Sequence, residues 1–134
     1  LTLDGTELVI ELEPGRVRAD EALLDSILRN LIMNAKRSQP KDNRIYVRGS
    51  RVSHLYRVCV VHHSGGLPQA SLDRLTEPFY MVDKSRSRAA GGSGLGLFLC
   101  QRIAQMHHTQ LHFESEPGHG TSVWFELEAA DEDA

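Results

Sequence analysis

The segment Gly91-Gly92-Ser93-Gly94-Leu95-Gly96-Leu97 runs straight into a helical pattern. Glycines placed there either bare backbone N–H groups at the positive end of a helix dipole, a ready anion site whose usual guest is phosphate, or form a flexible loop ahead of a helix N-terminus. No Gly-Lys-Ser/Thr is present, so this is not a P-loop, and Gly92, Gly94 and Gly96 do not fit the G-x-G-x-x-G spacing of dinucleotide sites. Lys84, Arg86 and Arg88 precede the glycines and either add cationic charge to the same site or form a solvated basic loop. A second group, Asn30, Asn34 and Arg37, recurs at i, i+4 and i+7 and so shares one stripe of a helix. On spacing alone this is a polar stripe beside the apolar face, and amides on a helix flank are common. His63, His107, His108, His112 and His119 lie at strand ends and turns without Cys or carboxylate partners at ligand spacing. An imidazole metal centre is therefore not expected.

These groups need elements to hold them. Thr6–Glu13 alternates Leu8, Ile10 and Leu12 with Glu7, Glu11 and Glu13, which predicts a strand closed by Pro14-Gly15. Asp20 is the N-cap of a helix predicted to run to about Ser38, with Leu24, Ile27, Leu28, Leu31 and Ala35 as its buried face; Pro40 stops it. Strands are predicted over Arg44–Val52 and Leu55–Val61, with a turn near Ser53-His54. The second is apolar nearly throughout, which predicts a central strand covered on both faces. From His62 to Ser93 the periodicity dissolves, apart from a short helix at Gln69–Leu75, and so long a stretch in a compact domain reads as a lid or binding loop. A helix is then predicted from Gly94 to His107, with Leu95, Leu99, Ile103 and Met106 on one face. Two strands, Leu111–Ser115 and Ser122–Glu128, follow around Pro117-Gly118-His119-Gly120. The order β-α-β-β-lid-α-β-β predicts a mixed sheet with helices on one face, an α/β two-layer sandwich. Residues 128–134 form an acidic end expected to fray into solvent.

Composition sets outer bounds. A chain of 134 residues suits a single domain, and 40% hydrophobic content is enough for a core and excludes a disordered tail. Lys+Arg number 15 against 18 Asp+Glu, net −3, which excludes a globally basic nucleic-acid binder. Cys59 and Cys100, both in apolar stretches, exclude a disulfide scaffold and are expected to be buried, reduced thiols. No apolar run approaches the ~18 residues of a membrane span, and no signal peptide opens the chain. Leu1 begins in mid-pattern without an initiator Met, so the chain reads as a piece of something longer.

Four ordered motifs carry a family resemblance: Asn30-Leu31-Ile32-Met33-Asn34-Ala35, Glu77-Pro78-Phe79-Tyr80, Asp83-Lys84-Ser85-Arg86-Ser87-Arg88 through Gly96-Leu97, and Ser115-Glu116-Pro117-Gly118-His119-Gly120-Thr121. They match the N box, F box, lid with second glycine box, and last hairpin of the ATP-binding catalytic domain of bacterial sensor histidine kinases. That domain belongs to the superfamily shared with gyrase, mismatch-repair ATPases and heat-shock chaperones. The chain resembles it over nearly all of residues 1–134. The resemblance implies a Bergerat-type two-layer α/β sandwich, with a mixed, mostly antiparallel sheet, helices on one face and a long ATP lid. It also implies Mg2+ and ATP between the N-box helix and the lid. By position Asn34 would hold Mg2+ through its amide oxygen, a hard ligand for a hard ion, and Asn30 would line the phosphates. Arg37 stands where the family usually has Lys and would hold phosphate. Lys84 and Arg86 would reach in from the lid, and Gly92, Ser93, Gly94, Leu95 and Gly96 would bring backbone N–H groups to the triphosphate. His62, Gly66 and Leu67 fall in the first glycine box, around adenine. Leu67 and Phe98 would wall the base or serve as plain core. ATP-hydrolysing relatives place a Glu at Asn30 to take a proton from water; an amide cannot, which disfavours free ATPase chemistry. The partners implied are a histidine-bearing dimerisation domain of the same chain and a cognate response regulator, with no nucleic acid. The location implied is the cytoplasmic side of a parent bound in the bacterial inner membrane.

The departures from the family pattern cluster around the nucleotide. The first glycine box normally reads Asp-x-Gly-x-Gly-Ile/Leu-Pro, its Asp accepting from the adenine amino group. Gly66-Leu67-Pro68 fix a register that puts His62 at the Asp and Ser64 at the first Gly. A neutral imidazole accepts one hydrogen bond without charge, and losing a charge-assisted bond is worth ~1.5–3 kcal/mol, or one to two decades of affinity. With an unperturbed pKa of about 6.5, affinity is expected to drop as pH falls through that range. Ser38 replaces an aromatic residue after the N box, and Thr76 the first Phe of the F box. Met81 replaces an Arg that reaches the γ-phosphate, where it would neutralise charge during transfer. Two readings follow. One is a histidine-kinase catalytic domain with weakened nucleotide affinity; the other is a degenerate pseudokinase domain acting as a protein-interaction module.

Overall fold

A computed structural model describes residues 2–64, 69–72, 74–78, 95–116 and 120–130. Asp4 and Gly5 take φ of 50° and 86°, the paired positive values that an Asp-Gly hairpin turn requires. They fold β1 (Thr2–Leu3) back on β2 (Thr6–Leu12), a hairpin that the alternation of apolar residues alone does not announce. Helix α1 (Glu21–Arg37) opens as expected: the Asp20 carboxylate accepts from the Leu23 N–H at 3.0 Å, a cap worth about 1 kcal/mol. Next come β3 (Arg44–Val52) and β4 (Leu55–His62), the short α2 (Gln69–Leu72), α3 (Gly96–Met106), β5 (His112–Glu116) and β6 (Gly120–Glu128). The described strands form one sheet in the order β1-β2-β3-β4-β6-β5. β2 and β3 pair in parallel and every other neighbour is antiparallel. Helices α1 and α3 share one side of the sheet, placing Ile27, Leu31 and Ala35 with Cys100, Ile103 and Ala104 over Ile45, Val58, Val60, Val123, Phe125 and Leu127. This is the two-layer α/β sandwich that the element order predicts.

Four expectations need correction. β4 is central but covered on one face only. Tyr56, Val58, Val60 and His62 are buried under the helices, whereas Arg57 is exposed and Leu55, Cys59 and Val61 are half-buried on the open face. Salt bridges Arg44–Glu7, Arg48–Glu11 and Arg57–Glu126 line that face, so the apolar run reflects a central position rather than a second helical layer. Cys100 is fully buried, with its thiol pushed up to about 12 by burial. Cys59 is only half-buried, yet burial still lifts its thiol against the pull of Arg48 and Arg57. The buried face of α3 is Cys100, Ile103 and Ala104, not the larger set predicted: Leu99 and Met106 are 48% and 64% exposed. Small Cys100 and Ala104 let α1 approach closely, and that contact, not side-chain size, sets the helix rotation. Finally, the chain end is held beyond residue 128. Glu128 pairs with Leu55, and Ala129 and Ala130 donate to the carbonyls of His54 and Arg16. Residues 131–134 lie outside the described residues.

Candidate functional site

Asn30, Asn34 and Arg37 lie along α1, each half-buried. Asn30 turns its Nδ2 back to the Ser26 carbonyl at 2.9 Å. Its Oδ1 stands 3.5 Å from the point a Gly96 Cβ would occupy, so the N-box stripe and the first residue of α3 meet side by side. Leu95, the N-cap residue of α3, makes no capping hydrogen bond through its own side chain. One turn along α1, the Asn34 amide makes no side-chain hydrogen bond among the described residues, while its main-chain carbonyl accepts from the Ser38 hydroxyl at 3.2 Å. Arg37 buries its Nε with no hydrogen-bond partner among the described residues. Leaving a buried charged donor unpaired costs several kcal/mol in general, which is why such groups face ligands or ions. An uncommitted amide oxygen one turn from an unpaired guanidinium N–H fits a hard cation beside phosphate oxygens.

His62 ends β4 on the helix side and is 5% exposed. Its Nδ1 lies 2.8 Å from Ser64 Oγ, and that hydroxyl donates to the Ser38 carbonyl at 3.1 Å. Ser38 follows α1 directly and in turn donates to Asn34. One hydrogen-bonded chain thus joins the first glycine box to the N-box helix through His62, Ser64 and Ser38, three of the positions that depart from the family pattern. Across the sheet His62 pairs with Thr121, and Gly120 packs against the His62 backbone so closely that a Cβ would lie 2.3 Å from its carbonyl oxygen. Neither contact is foreseen from the sequence; Gly120-Thr121 in the last-hairpin motif was the available signal for the second. Gly66, Leu67, Lys84, Arg86, Gly92, Ser93 and Gly94, like Met81, lie outside the described residues, so their expected roles remain sequence-based. Phe98 is half-buried on α3. Among the described residues no three His, Cys, Asp or Glu side chains gather as a metal centre, and no helix is long and apolar enough to cross a membrane.

Burial, reinforced by neighbouring His63, lowers the His62 pKa to about 4. The expected loss of affinity near pH 6.5 is therefore corrected: the ring stays neutral through the mildly acid range. The same shift acts on stability. The unfolded chain takes up a proton near pH 6.5 while the folded chain refuses it until about 4. Stability is thus intact above 6.5 and falls as pH drops, by about 1.4 kcal/mol per unit inside that window. Between pH 6.5 and 5, native protein should lose about 2 kcal/mol more than His62→Asn in urea titrations. Parallel losses in the two proteins would refute a buried neutral imidazole.

The family model for histidine kinase-, DNA gyrase B- and HSP90-like ATPases matches residues 19–131. The sensor-like histidine kinase SenX3 of Mycolicibacterium smegmatis is 33% identical over 107 residues, which cover 80% of this chain and 28% of the relative. The alginate biosynthesis sensor protein KinB of Pseudomonas aeruginosa is 30% identical over 128 residues, covering 92% of this chain and 21% of that one. Among solved structures, the mycobacterial sensor histidine kinase MprB matches with a TM-score of 0.79 at 21% identity, covering 93% of this chain and 83% of that chain. Full-length ShkA, solved in complex with AMPPNP, matches with a TM-score of 0.80 at 25% identity, covering 94% and 26%. The chain therefore spans only 28% and 21% of the length of these two curated relatives.

Proposed function

The chain belongs to the histidine kinase-, DNA gyrase B- and HSP90-like ATPase family, and from that premise we propose that it binds ATP with Mg2+ and presents the γ-phosphate to a histidine on a dimerisation domain. The observation that supports this reading is that, among the described residues, the buried Nε of Arg37 has no hydrogen-bond partner and the Asn34 amide, one turn back along α1, makes no side-chain hydrogen bond. A triphosphate and its cation would give both groups the partners they lack among the described residues. Mg2+, when bound, supplies charge neutralisation at the phosphates, and Asn34 would hold it through Oδ1. Arg37 would clamp a phosphate oxygen, and the residues opening α3 would offer N–H groups to the same chain of phosphates. Asn30 commits its Nδ2 to Ser26 and carries no group able to take a proton from water. Hydrolysis is thereby left unassisted, whereas an imidazole nucleophile needs no such base. His62 would accept from the adenine amino group in place of a carboxylate, at the cost of charge assistance. The relative ShkA was solved with AMPPNP, which supports a nucleotide in this fold. The parent is proposed to be a membrane-bound sensor kinase whose cytoplasmic part includes this domain, passing phosphate on to a response regulator.

The test joins this chain to the histidine-bearing dimerisation domain of a relative such as SenX3 and supplies radiolabelled ATP with Mg2+. Label that is stable to base and labile to acid, and lost when the acceptor histidine is replaced, is the expected result. A folded chimera that stays unlabelled, while the relative's own domain labels in the same fusion, would refute the kinase reading.

A further inference from the structure

The hydroxyl of Ser64 has one proton and two polar neighbours, the His62 Nδ1 at 2.8 Å and the Ser38 carbonyl oxygen at 3.1 Å. A carbonyl cannot donate, so the Ser64 proton must go to Ser38 for both contacts to be attractive. Ser64 Oγ then accepts, and the donor is Nδ1–H of the imidazole. The opposite arrangement, with Ser64 donating to Nδ1, would set its lone pairs against the Ser38 oxygen in a site where His62 is 5% exposed. Low local dielectric makes such a mismatch costly. In the neutral ring one nitrogen carries the proton and the other accepts, so fixing Nδ1–H leaves Nε2 with its lone pair. Among the described residues nothing donates to Nε2.

We infer that Ser64, backed by the Ser38 carbonyl, is a positioning residue that locks His62 in the Nδ1–H tautomer and so keeps Nε2 as a standing acceptor for the 6-amino group of a purine. The inference rests on the nucleotide reading above and adds to it. His62, Ser64 and Ser38 are then one coupled replacement for a carboxylate, not three separate losses. A lone His at position 62 would sample both tautomers and accept for only part of the time. The hydroxyl in the place of the usual glycine removes that ambiguity.

Nitrogen-15 NMR of the imidazole rings reads the tautomer without any nucleotide, with His62 assigned by its loss in His62→Asn. At pH 7 the native chain is expected to show a protonated Nδ1 and an unprotonated Nε2. Ser64→Ala should release the ring into a mixture and weaken ATP about tenfold. Inosine triphosphate, which carries a carbonyl in place of the amino group, should change little. Ser64→Thr, which keeps the hydroxyl, should restore both the tautomer and the ATP preference. A native ring protonated at Nε2, or a tautomer unmoved by Ser64→Ala, overturns the inference whatever the chain binds. The expected tautomer in a chain that binds no ATP overturns the nucleotide reading instead, and with it the acceptor role.

Discussion

Asn34→Ala is expected to lower the affinity for ATP in the presence of Mg2+ by about 100-fold while leaving the fold intact. The residue would serve both the cation and the phosphates through one amide, and each charge-assisted contact of that kind is worth roughly 1.5–3 kcal/mol, or about one to two decades. Stability should not follow affinity downward. The Asn34 side chain makes no hydrogen bond among the described residues, the position lies inside α1, and alanine is the better helix former by up to ~0.7 kcal/mol. A calorimetric titration paired with a thermal melt separates the two effects. Equal loss of affinity and of melting temperature would mean that Asn34 is structural, and unchanged affinity would remove it from the site. Withdrawing Mg2+ should weaken the native protein far more than the variant, since the variant has already lost the ligand that makes the ion count.

Gly120→Ala is expected to cost about 3 kcal/mol or more and to lower Tm by roughly 10 °C. Two penalties combine there. Gly120 takes φ of 92°, a region that costs an L-residue of order 1–2 kcal/mol. The new methyl would also lie 2.3 Å from the His62 carbonyl oxygen and 3.0 Å from the His63 Cα, both main-chain atoms that cannot rotate away. Gly5→Ala is the internal control. Its φ of 86° is similar, but nothing stands within 4 Å of its Cβ position, so it should carry the backbone penalty alone, about 1 kcal/mol. Near-equal losses for the two variants would mean that β6 does not press on His62. Because that contact sets where β4 ends, the surviving fraction of Gly120→Ala should also bind nucleotide less well.

How much of this was legible beforehand depended on whether a feature was local. Helix α1 was, because its cap Asp20, its stripe Ile27-Leu31-Ala35 and its stop at Pro40 all lie within one stretch of chain. The β3–β4 hairpin was legible for the same reason. The rotation of α3 was not: Leu99 and Met106 look like core by size, but the contact with α1 selects Cys100 and Ala104. β1 was missed although Asp4-Gly5 is a strong turn signal, since two residues of strand show no alternation to read. In the site, the common stripe of Asn30, Asn34 and Arg37 follows from helical spacing alone. The chain from His62 through Ser64 to Ser38 does not, because it joins residues 26 apart that only the fold brings together. Taken one at a time, those residues read as losses from a family pattern. Their shared hydrogen bonds turn them into a substitute.

The central claim is that this altered site still holds nucleotide. Calorimetric titration of the chain with ATP, with and without Mg2+, tests it most directly, with His62→Asp run alongside. The account predicts saturable, Mg2+-dependent binding by the native chain and tighter binding, by about one to two decades, once the carboxylate is restored. No heat from either protein, with both folded, would contradict it and leave a domain that works through protein contacts alone.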